Sequence, residues 1–312
     1  MPDSSSDNDR PARLPLASVI VPAYNEERGI ARLLAALLAD AAPRALDVVV
    51  VANGCTDRTA EVARGFGPDV RVIEEPVPGK ANALNLGDGA ARTFPRFYVD
   101  ADIEIGYQAV RDTAERMAAA GVPVGAPRLS LRLAGRSAGV RAYYAVWRRL
   151  PYARDGLVGV GVYALSEAGR ARFDRFPSLT ADDLFIRNLF RPEERLSVGS
   201  ATFLAHPPRD LRSLVAVQTR AQLGKRELHR ARGPAAPLPG ADRSRRAWAV
   251  QRIGALAGHP RVWPALPLYL AVHVVARVQA RRRLFRGDTG WLRDESSRAA
   301  DPLSAPTAPT AP

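Results

Sequence analysis

Two aspartates separated by one residue follow a short apolar segment in the first third of the chain. The sequence Asp100-Ala101-Asp102 comes directly after residues 96–99, whose pattern predicts a strand. Carboxylates at this spacing at a strand end can together face a hard divalent cation, either directly or through its water. Such a cation can bridge a diphosphate and neutralise the charge that builds on a leaving nucleotide. An Asp-x-Asp pair is also common in solvated turns, so its meaning depends on the residues that precede it.

Alternation of strands and helices predicts the scaffold that positions these aspartates. Short apolar segments predict four strands in the first third, at residues 17–21, 47–52, 70–73 and 97–99. Helices are predicted between them, at residues 27–39, 57–64 and 80–91. Near-continuous apolar strands that alternate with helices are typical of a parallel sheet covered on both faces. Ligands bind at the carboxyl ends of such strands. The segments there are polar or turn-forming, at residues 22–26, 53–57, 74–80 and 100–102.

The middle of the chain has a less regular pattern. It predicts helices at residues 107–120, 139–149, 184–190 and 211–230, and strands at residues 128–133, 158–165 and 196–203. The strand at 158–165 is interrupted by glycines, whose missing side chains would allow a ligand or another backbone to approach closely. Residues 232–242 are rich in Pro and Gly, and this composition predicts a linker.

Both ends of the chain have a composition that is typical of disorder. Residues 1–14 are polar and contain proline, and residues 296–312 consist largely of Ser, Ala, Pro and Thr. The first residues lack the apolar core of a secretory signal. The single Cys55 excludes an intrachain disulfide and suits a reducing compartment. We therefore expect a cytoplasmic protein.

The chain is strongly basic, with a formal net charge of +13, and much of the excess lies after residue 205. Such a region could attract nucleic acid, anionic lipid or a phosphorylated acceptor, and the alternative is a solvated surface. Aromatic residues are not interleaved with basic ones, as they would be in a base-stacking groove. We therefore expect no nucleic-acid partner.

An apolar segment at residues 262–276 is followed at once by arginines. Fifteen residues fall short of the ~20 that a membrane-spanning helix needs, and His273 and two prolines weaken the segment further. We expect a helix that lies in the interface at the inner face of the cell membrane, with Trp263 and Tyr269 at headgroup depth. The alternative is a buried helix packed on the rest of the protein.

Three further segments precede the Asp-x-Asp pair and give it a specific meaning. They are VIVPAYNEE at residues 19–27, VANGCTD at residues 51–57 and GKANALN at residues 79–85. With these segments in this order and spacing, the chain resembles the inverting family 2 glycosyltransferases, which have the GT-A fold. The resemblance covers residues 17 to about 105 and continues more weakly to about residue 230. It implies an α/β, Rossmann-like, mainly parallel sheet flanked by helices, here followed by a C-terminal helical segment that associates with a membrane.

The resemblance assigns roles around a nucleotide-sugar donor. It implies that the base and ribose pocket is lined by Pro22, Ala23, Tyr24 and Glu26, and that Asn53 and Asp57 contact the donor from the second strand. Many family members have Asp where Asn53 stands, which leaves the nucleobase open. Lys80 would approach the diphosphate as a point charge, and Asn85 would add a neutral hydrogen bond. Asp100 and Ala101 would contact the ribose or metal-bound water. For the asparagines, helix capping is an alternative.

The metal implied by the resemblance is Mg²⁺ or Mn²⁺. Asp102 would bind it directly, and Asp100 would bind it or its water. His206, just after the last predicted strand, would complete the metal shell, because imidazole is a reasonable ligand for manganese. A lone histidine is more often structural, and that alternative stays open.

Asp182 and Asp183, at the start of a predicted helix, resemble the family's pair of acidic residues near the acceptor. An inverting transfer requires a base that takes the proton of the attacking hydroxyl. Adjacent carboxylates cannot both face the same atom, so one acts as base and the other orients or caps. The family position favours Asp183 as the base, and the alternative is a pure N-cap pair.

We therefore predict an inverting transfer of one sugar from a nucleoside-diphosphate sugar to a hydroxyl, on an acceptor that is lipid-linked or part of a cell-surface glycan. The processive members' Gln-x-x-Arg-Trp motif is not matched at residues 218–222, which favours single transfers. The predicted organisation is a GT-A domain at residues 15–231, with a donor half at 15–105 and an acceptor half at 106–231, then a helical membrane-associated segment at 243–295. The alternative is a non-catalytic, basic membrane or nucleic-acid binder on a decayed transferase fold.

Overall fold

In the computed structural model, described for residues 14–150, 153, 161–179, 181–232, 254 and 256–286, the described strands form a single eight-stranded sheet. The strands are β1 (Ser18–Ala23), β2 (Asp47–Asn53), β3 (Val70–Glu75), β4 (Arg96–Val99), β5 (Glu104–Ile105), β6 (Val124–Leu131), β7 (Val162–Leu165) and β8 (Arg195–Ala205). The four strands predicted in the first third are confirmed. The short β5 was not predicted, because two residues are too few to show a period.

The described helices lie on both faces of this sheet and beside it. They are α1 (Glu27–Leu38), α2 (Thr59–Arg64), α3 (Lys80–Ala90), α4 (Tyr107–Ala120), α5 (Ala138–Trp147), α6 (Glu167–Arg170), α7 (Asp182–Leu189), α8 (Leu211–Arg232) and α9 (Leu266–Phe285). Two 3₁₀ turns occupy Pro192–Glu194 and Pro260–Ala265. The predicted helices are confirmed with small shifts at their ends, and the single turn of α6 was missed.

The sheet has the order β3-β2-β1-β4-β7-β6-β8-β5. Strands β1 to β4 are parallel, and β6 pairs in parallel with β8. Strands β7 and β5 run against their neighbours. The prediction of a mainly parallel sheet flanked by helices is confirmed.

Alternate residues of the central strands face opposite layers of helix. Val19 and Val21 of β1 pack in one cluster with α1 and α4, whereas Ile20 packs in another with α3 and α7. All residues of β1 and β2 are buried. This is the double-sided burial that explains the near-continuous apolar pattern of these strands. The carboxyl ends of the strands are left as the edge where polar loops meet.

Beyond the sheet, α9 packs against α5 and α8. Tyr269 and Val272 of α9 are buried in one cluster with Tyr143 of α5 and Leu214 of α8. The expectation that Tyr269 lies at the surface is wrong, since its ring stacks on that of Tyr143 at a centroid distance of 4.9 Å. Among the described helices, none combines the length and apolar character needed to cross a membrane.

Several predicted segments lie wholly or partly outside the described residues. They are the N-terminus at 1–14, the start of the predicted strand at 158–160, the linker at 232–242, most of 243–259 and the C-terminal end of the chain beyond residue 286, including 296–312. The proposed division at residues 231 and 232 therefore stays a prediction.

Candidate active site

Asn53 joins three loops at the carboxyl ends of the first strands. Its Nδ2 donates a 2.7 Å hydrogen bond to the carbonyl oxygen of Ala23, at the end of β1. Its Oδ1 accepts a 2.9 Å bond from the backbone N–H of Gly79, just before α3. The side chain is buried. The amide predicted to contact the donor therefore holds the walls of the candidate pocket together.

Asp57 fixes the starts of two helices. Its Oδ1 accepts a 3.0 Å hydrogen bond from the N–H of Thr59 at the start of α2, and its Oδ2 accepts a 3.1 Å bond from the N–H of Glu27 at the start of α1. Thr59 Oγ1 in turn accepts a 2.8 Å bond from the N–H of Glu26. Since free N–H groups at a helix start need acceptors, this arrangement explains the choice of residues in the turn. It places the predicted donor residue Asp57 in a capping role.

The segment predicted to line the base and ribose pocket lies against the Asp-Ala-Asp turn. Pro22, Ala23 and Glu26 are buried, and Tyr24 is half-buried. A Cβ atom built on Gly29 of α1 would lie 2.7 Å from the carbonyl oxygen of Ala101 and 3.0 Å from Glu26 Oε2. Only a residue without a side chain permits this approach. Glycine at this position therefore brings the start of α1, Glu26 and the turn at 100–102 together.

Lys80 links the donor half to the acceptor half. Its Nζ lies 2.7 Å from Asp100 Oδ1 and 3.0 Å from Asp182 Oδ1. Burial disfavours the ammonium, but the two carboxylates outweigh burial and raise the pKa of Lys80 above its ordinary value. The residue is the first of α3, Asp100 follows β4, and Asp182 is the first residue of α7. Three predicted site residues from distant parts of the sequence are thus brought into contact.

Asp182 and Asp183 differ in their surroundings although they are adjacent. Asp182 is buried and ion-paired with Lys80, and burial raises its pKa despite that cation. Asp183 Oδ1 accepts a 2.6 Å hydrogen bond from the N–H of Leu184. Burial, reinforced by the negative charge of Asp182, raises the pKa of Asp183 to about 7. A carboxyl group with a pKa near neutrality can accept a proton at ordinary pH and release it again.

Asn85 anchors the segment that leads to these carboxylates. Its Oδ1 accepts a 2.9 Å hydrogen bond from the N–H of Phe176, and its Nδ2 donates a 3.1 Å bond to the carbonyl oxygen of the same residue. Asn85 thus pairs with backbone, and its predicted bond to the donor stays a prediction. It holds the acceptor-side segment against α3, whose first residue is Lys80.

The residues around Asp102 fit a divalent cation of the predicted kind. Asp100 and Asp102 offer oxygen atoms, the ligands that Mg²⁺ and Mn²⁺ prefer. The ammonium of Lys80 lies against Asp100, so the site already accommodates positive charge. Within the described residues, no group of three or more His, Cys, Asp or Glu side chains is arranged to hold a metal ion. Two carboxylates would leave the remaining coordination positions to water and a bound diphosphate.

His206 is paired with an acidic residue that the sequence did not single out. Its Nε2 lies 2.6 Å from Glu104 Oε1, and this hydrogen bond lowers the pKa of Glu104. The pair connects the end of β8 with β5, beside the Asp-Ala-Asp turn. The sequence carries no signal for this pairing, because it depends on the register of β5 with β8.

Gly161 is a second contact that only the fold reveals. Its carbonyl oxygen accepts a 2.8 Å hydrogen bond from the N–H of Asp100. Its φ of +84° is a left-handed value that side chains rarely adopt, and a Cβ atom there would lie 3.3 Å from Asp100 Oδ2. The close approach expected from the glycine-interrupted strand is therefore confirmed at this residue.

Comparison with known proteins agrees with this geometry. The family model described as glycosyl transferase family 2 matches residues 18–150. The 4,4'-diaponeurosporenoate glycosyltransferase of Staphylococcus aureus strain USA300 is 37% identical to the chain over 90 residues. That match covers 28% of this chain and 24% of that protein, so the chain spans about a quarter of the length of the curated relatives it matches.

Solved structures of two transferases share the fold. A mannosyltransferase from Pyrobaculum calidifontis, in complex with GDP-Man and Mn²⁺, gives a TM-score of 0.56 at 22% identity, over 88% of this chain and 80% of that chain. Glucosyl-3-phosphoglycerate synthase from Mycobacterium tuberculosis gives a TM-score of 0.50 at 20% identity, over 68% of this chain and 78% of that chain. At these identities the likeness shows the fold alone. Residues 18–150 therefore match the model of glycosyl transferase family 2, and the chain shares the fold of these transferases, the GT-A fold.

Proposed function

We propose that this chain is an inverting glycosyltransferase that moves one sugar from a nucleoside-diphosphate sugar to a hydroxyl acceptor. The observation that carries the proposal is the contact of Lys80 with Asp100 and Asp182. This contact joins Asp100 of the Asp-x-Asp pair to Asp182, the neighbour of the candidate base Asp183. A reaction between two substrates needs such an arrangement, because both must be held in line for attack.

The donor side would use a divalent cation. We propose that Asp100 and Asp102 hold Mg²⁺ or Mn²⁺, which would neutralise charge on the leaving diphosphate. Lys80 would turn from its carboxylate partners to the diphosphate. The solved relatives support this choice, since one is in complex with GDP-Man and Mn²⁺ and another with Mn²⁺ and UDP-Glc. The nucleotides in these two complexes differ in their base, so the base that this chain binds is determined by testing several donors.

On the acceptor side, Asp183 is the better candidate for the base. Asp182 is engaged by Lys80 and serves to orient that lysine. The pKa of Asp183, raised to about 7, suits a group that must take a proton from the acceptor hydroxyl at neutral pH. His206, bonded to Glu104, would support the Asp-x-Asp turn or complete the metal shell through its other ring nitrogen.

We propose further that the acceptor is lipid-linked or part of a cell-surface glycan, and that the enzyme works at the inner face of the cell membrane. The relative from Staphylococcus aureus is named as a 4,4'-diaponeurosporenoate glycosyltransferase. In this chain, α9 exposes the apolar side chains Leu270, Val274 and Val278, and arginines follow them. Apolar and basic groups on one helix are the combination that binds an anionic bilayer surface.

The transfer can be tested with a panel of donors. Purified protein is incubated with Mn²⁺, a membrane lipid extract and UDP-glucose, UDP-N-acetylglucosamine or GDP-mannose, and released nucleoside diphosphate is measured. We expect one donor to be consumed faster with the extract than without it. Asp183→Asn should reduce this rate about 10²–10⁴-fold with little change in donor affinity. Equal rates for Asp183→Asn and wild type would remove the base assignment.

A further inference from the structure

Tyr163 carries a buried hydroxyl group that has no hydrogen-bond partner among the described residues. The side chain is 2% exposed. Leaving a buried hydroxyl without a partner is unfavourable, and such groups are rare in folded proteins. A phenylalanine would fill the same space without this cost. The hydroxyl therefore calls for an explanation in terms of something that happens at the site.

Tyr163 packs in a buried cluster with residues of α3 and α7, the helices that begin with Lys80 and Asp182. It lies in the same buried cluster as Ala81, which follows Lys80 in α3, and Ile186 in α7. Ile186 is four residues after Asp182, so the two side chains share one face of the helix. The nearby carboxylates, with Asp182 first among them, add to burial in raising the pKa of the Tyr163 phenol. The phenol therefore stays protonated and keeps a hydrogen to donate.

Tyr98 offers a direct comparison, because it is the cross-strand partner of Tyr163. The two residues face each other in β4 and β7, and their rings stack at a centroid distance of 5.0 Å. The Tyr98 hydroxyl donates a 2.6 Å hydrogen bond to Asp88. Of two stacked tyrosines, one uses its hydroxyl to hold the fold and the other does not.

We propose that the Tyr163 hydroxyl is a positioning group that hydrogen-bonds the Asp182 carboxylate once a bound donor has drawn Lys80 away. The inference rests on the proposed function. Lys80 bonds Asp182 in the described state. A bound diphosphate would compete with Asp182 for the Lys80 ammonium. When the ammonium moves to the diphosphate, Asp182 is left buried without a cation. A buried carboxylate in that position requires another donor. Tyr163 is buried against the helix that carries Asp182, the charge of Asp182 acts on its phenol, and its hydroxyl has a hydrogen for that bond.

The proposal is tested with Tyr163→Phe and the matched control Tyr98→Phe. Thermal unfolding is followed without ligand and with UDP or GDP plus Mn²⁺, and kcat and kcat/KM are measured across pH with the donor that the wild type consumes. For Tyr163→Phe we expect an unfolding temperature without ligand that equals or exceeds the wild-type value. The rise in unfolding temperature on nucleotide binding should be smaller than in the wild type, and kcat should fall about tenfold. The rise of kcat with pH, which the base Asp183 sets, should move to higher pH, because the tyrosine hydrogen bond no longer offsets the negative charge of Asp182 beside it.

Tyr98→Phe should show the opposite pattern. It removes the hydrogen bond to Asp88, so the unfolding temperature without ligand falls. The rise in unfolding temperature on nucleotide binding and the pH profile stay as in the wild type. The inference would be overturned if Tyr163→Phe kept the wild-type kcat, the wild-type pH profile and the wild-type rise in unfolding temperature on nucleotide binding. It would also be overturned if, without ligand, Tyr163→Phe lost as much stability as Tyr98→Phe. A wild type that neither responds to UDP or GDP nor consumes any donor would overturn the proposed function, and this inference with it.

Discussion

In the proposed reaction, the chemistry of the acceptor side depends on the carboxyl group of Asp183. Its pKa of about 7 arises because burial removes water from the carboxylate and Asp182 adds a second negative charge nearby. The ordinary value is 3.8. The group is thus part protonated at neutral pH, which is unusual for an aspartate and suits a proton acceptor.

A rising pH profile follows if Asp183 is the base. Only the carboxylate can accept the hydroxyl proton, so kcat/KM should rise with pH and level off above about 7. Asp182→Asn removes the negative charge that helps to raise the pKa of Asp183, so kcat/KM should rise at lower pH in this variant. The measurement is kcat/KM between pH 5.5 and 8.5 at saturating Mn²⁺. A profile that is flat over this range in the wild type would contradict the assignment.

The same group has a defined effect on stability. Between the unfolded value of 3.8 and the folded value of about 7, the folded state binds the Asp183 proton more strongly than the unfolded state does. Folding stability contributed by this group is therefore present below pH 4 and is lost as the pH rises towards 7. Replacement by Asn should remove that part of the pH dependence.

At the scale of elements, the site depends on how closely α1 approaches the turn after β4. Gly29→Ala would place a Cβ atom 2.7 Å from the carbonyl oxygen of Ala101, and backbone cannot yield as a flexible side chain can. We expect lower stability and weaker nucleotide binding, although alanine is normally the better helix former by about 1 kcal/mol. Thermal unfolding and nucleotide titration measure both effects.

Gly89→Ala in α3 is the matched control for Gly29→Ala. A Cβ atom on Gly89 meets nothing within 4 Å, so alanine there should leave binding unchanged and raise stability slightly. If Gly29→Ala behaves like Gly89→Ala, the close approach of α1 to residues 100–102 does not shape the donor site.

Much of the donor half could be predicted from the sequence, because its strands are continuous apolar runs and its motifs are local. The roles of individual polar residues were harder to predict. The side chains of Asn53, Asp57 and Asn85 bond backbone groups of other segments, and their expected contact with the donor stays a prediction. A motif shows that a polar residue is needed at a strand end. Whether it faces the ligand or braces the loop depends on partners that are distant in sequence.

The acceptor half was predicted less well for the same physical reason. The contact of Lys80 with Asp182 joins residues about a hundred positions apart, and no periodicity signals it. The pairing of His206 with Glu104 depends on the antiparallel register of β5 and β8. Tyr269 reads as an interfacial aromatic residue in the sequence, yet it is buried against Tyr143. Tertiary packing decided each of these.

At the scale of the whole molecule, α9 buries Tyr269 and Val272 against the protein and also carries apolar side chains on its outer side. His273 lies 3.3 Å from the hydroxyl of Tyr143, and Gln279 accepts a 3.1 Å hydrogen bond from Thr219. On the outer side Leu270, Val274 and Val278, named here the outer stripe, are 60%, 58% and 41% exposed. A helix whose outer side meets only water would be expected to carry polar side chains there. We infer that a bilayer surface covers the outer stripe.

Vesicle binding tests this inference. We expect the wild type to bind phosphatidylglycerol vesicles more strongly than phosphatidylcholine vesicles, with binding weakened by salt. Replacing Leu270, Val274 and Val278 by Gln should reduce binding at least tenfold, since burial of such side chains contributes roughly 1.5–3 kcal/mol each. Leu14→Gln, at an exposed apolar residue far from the stripe in sequence, is the control and should bind normally. Equal binding of the triple variant and the wild type would contradict the inference.

The central claim is that residues 18–105 hold a nucleoside diphosphate with the help of a divalent cation. Calorimetric titration of UDP, GDP and TDP, with and without Mn²⁺, tests it most directly. We expect one nucleotide to bind, with an affinity that requires both Mn²⁺ and the carboxylate of Asp102, so that Asp102→Ala loses the metal-dependent part. Failure of all three nucleotides to bind the wild type would contradict the account and favour a non-catalytic binder on a transferase fold. Unchanged Mn²⁺-dependent binding by Asp102→Ala would remove the metal assignment.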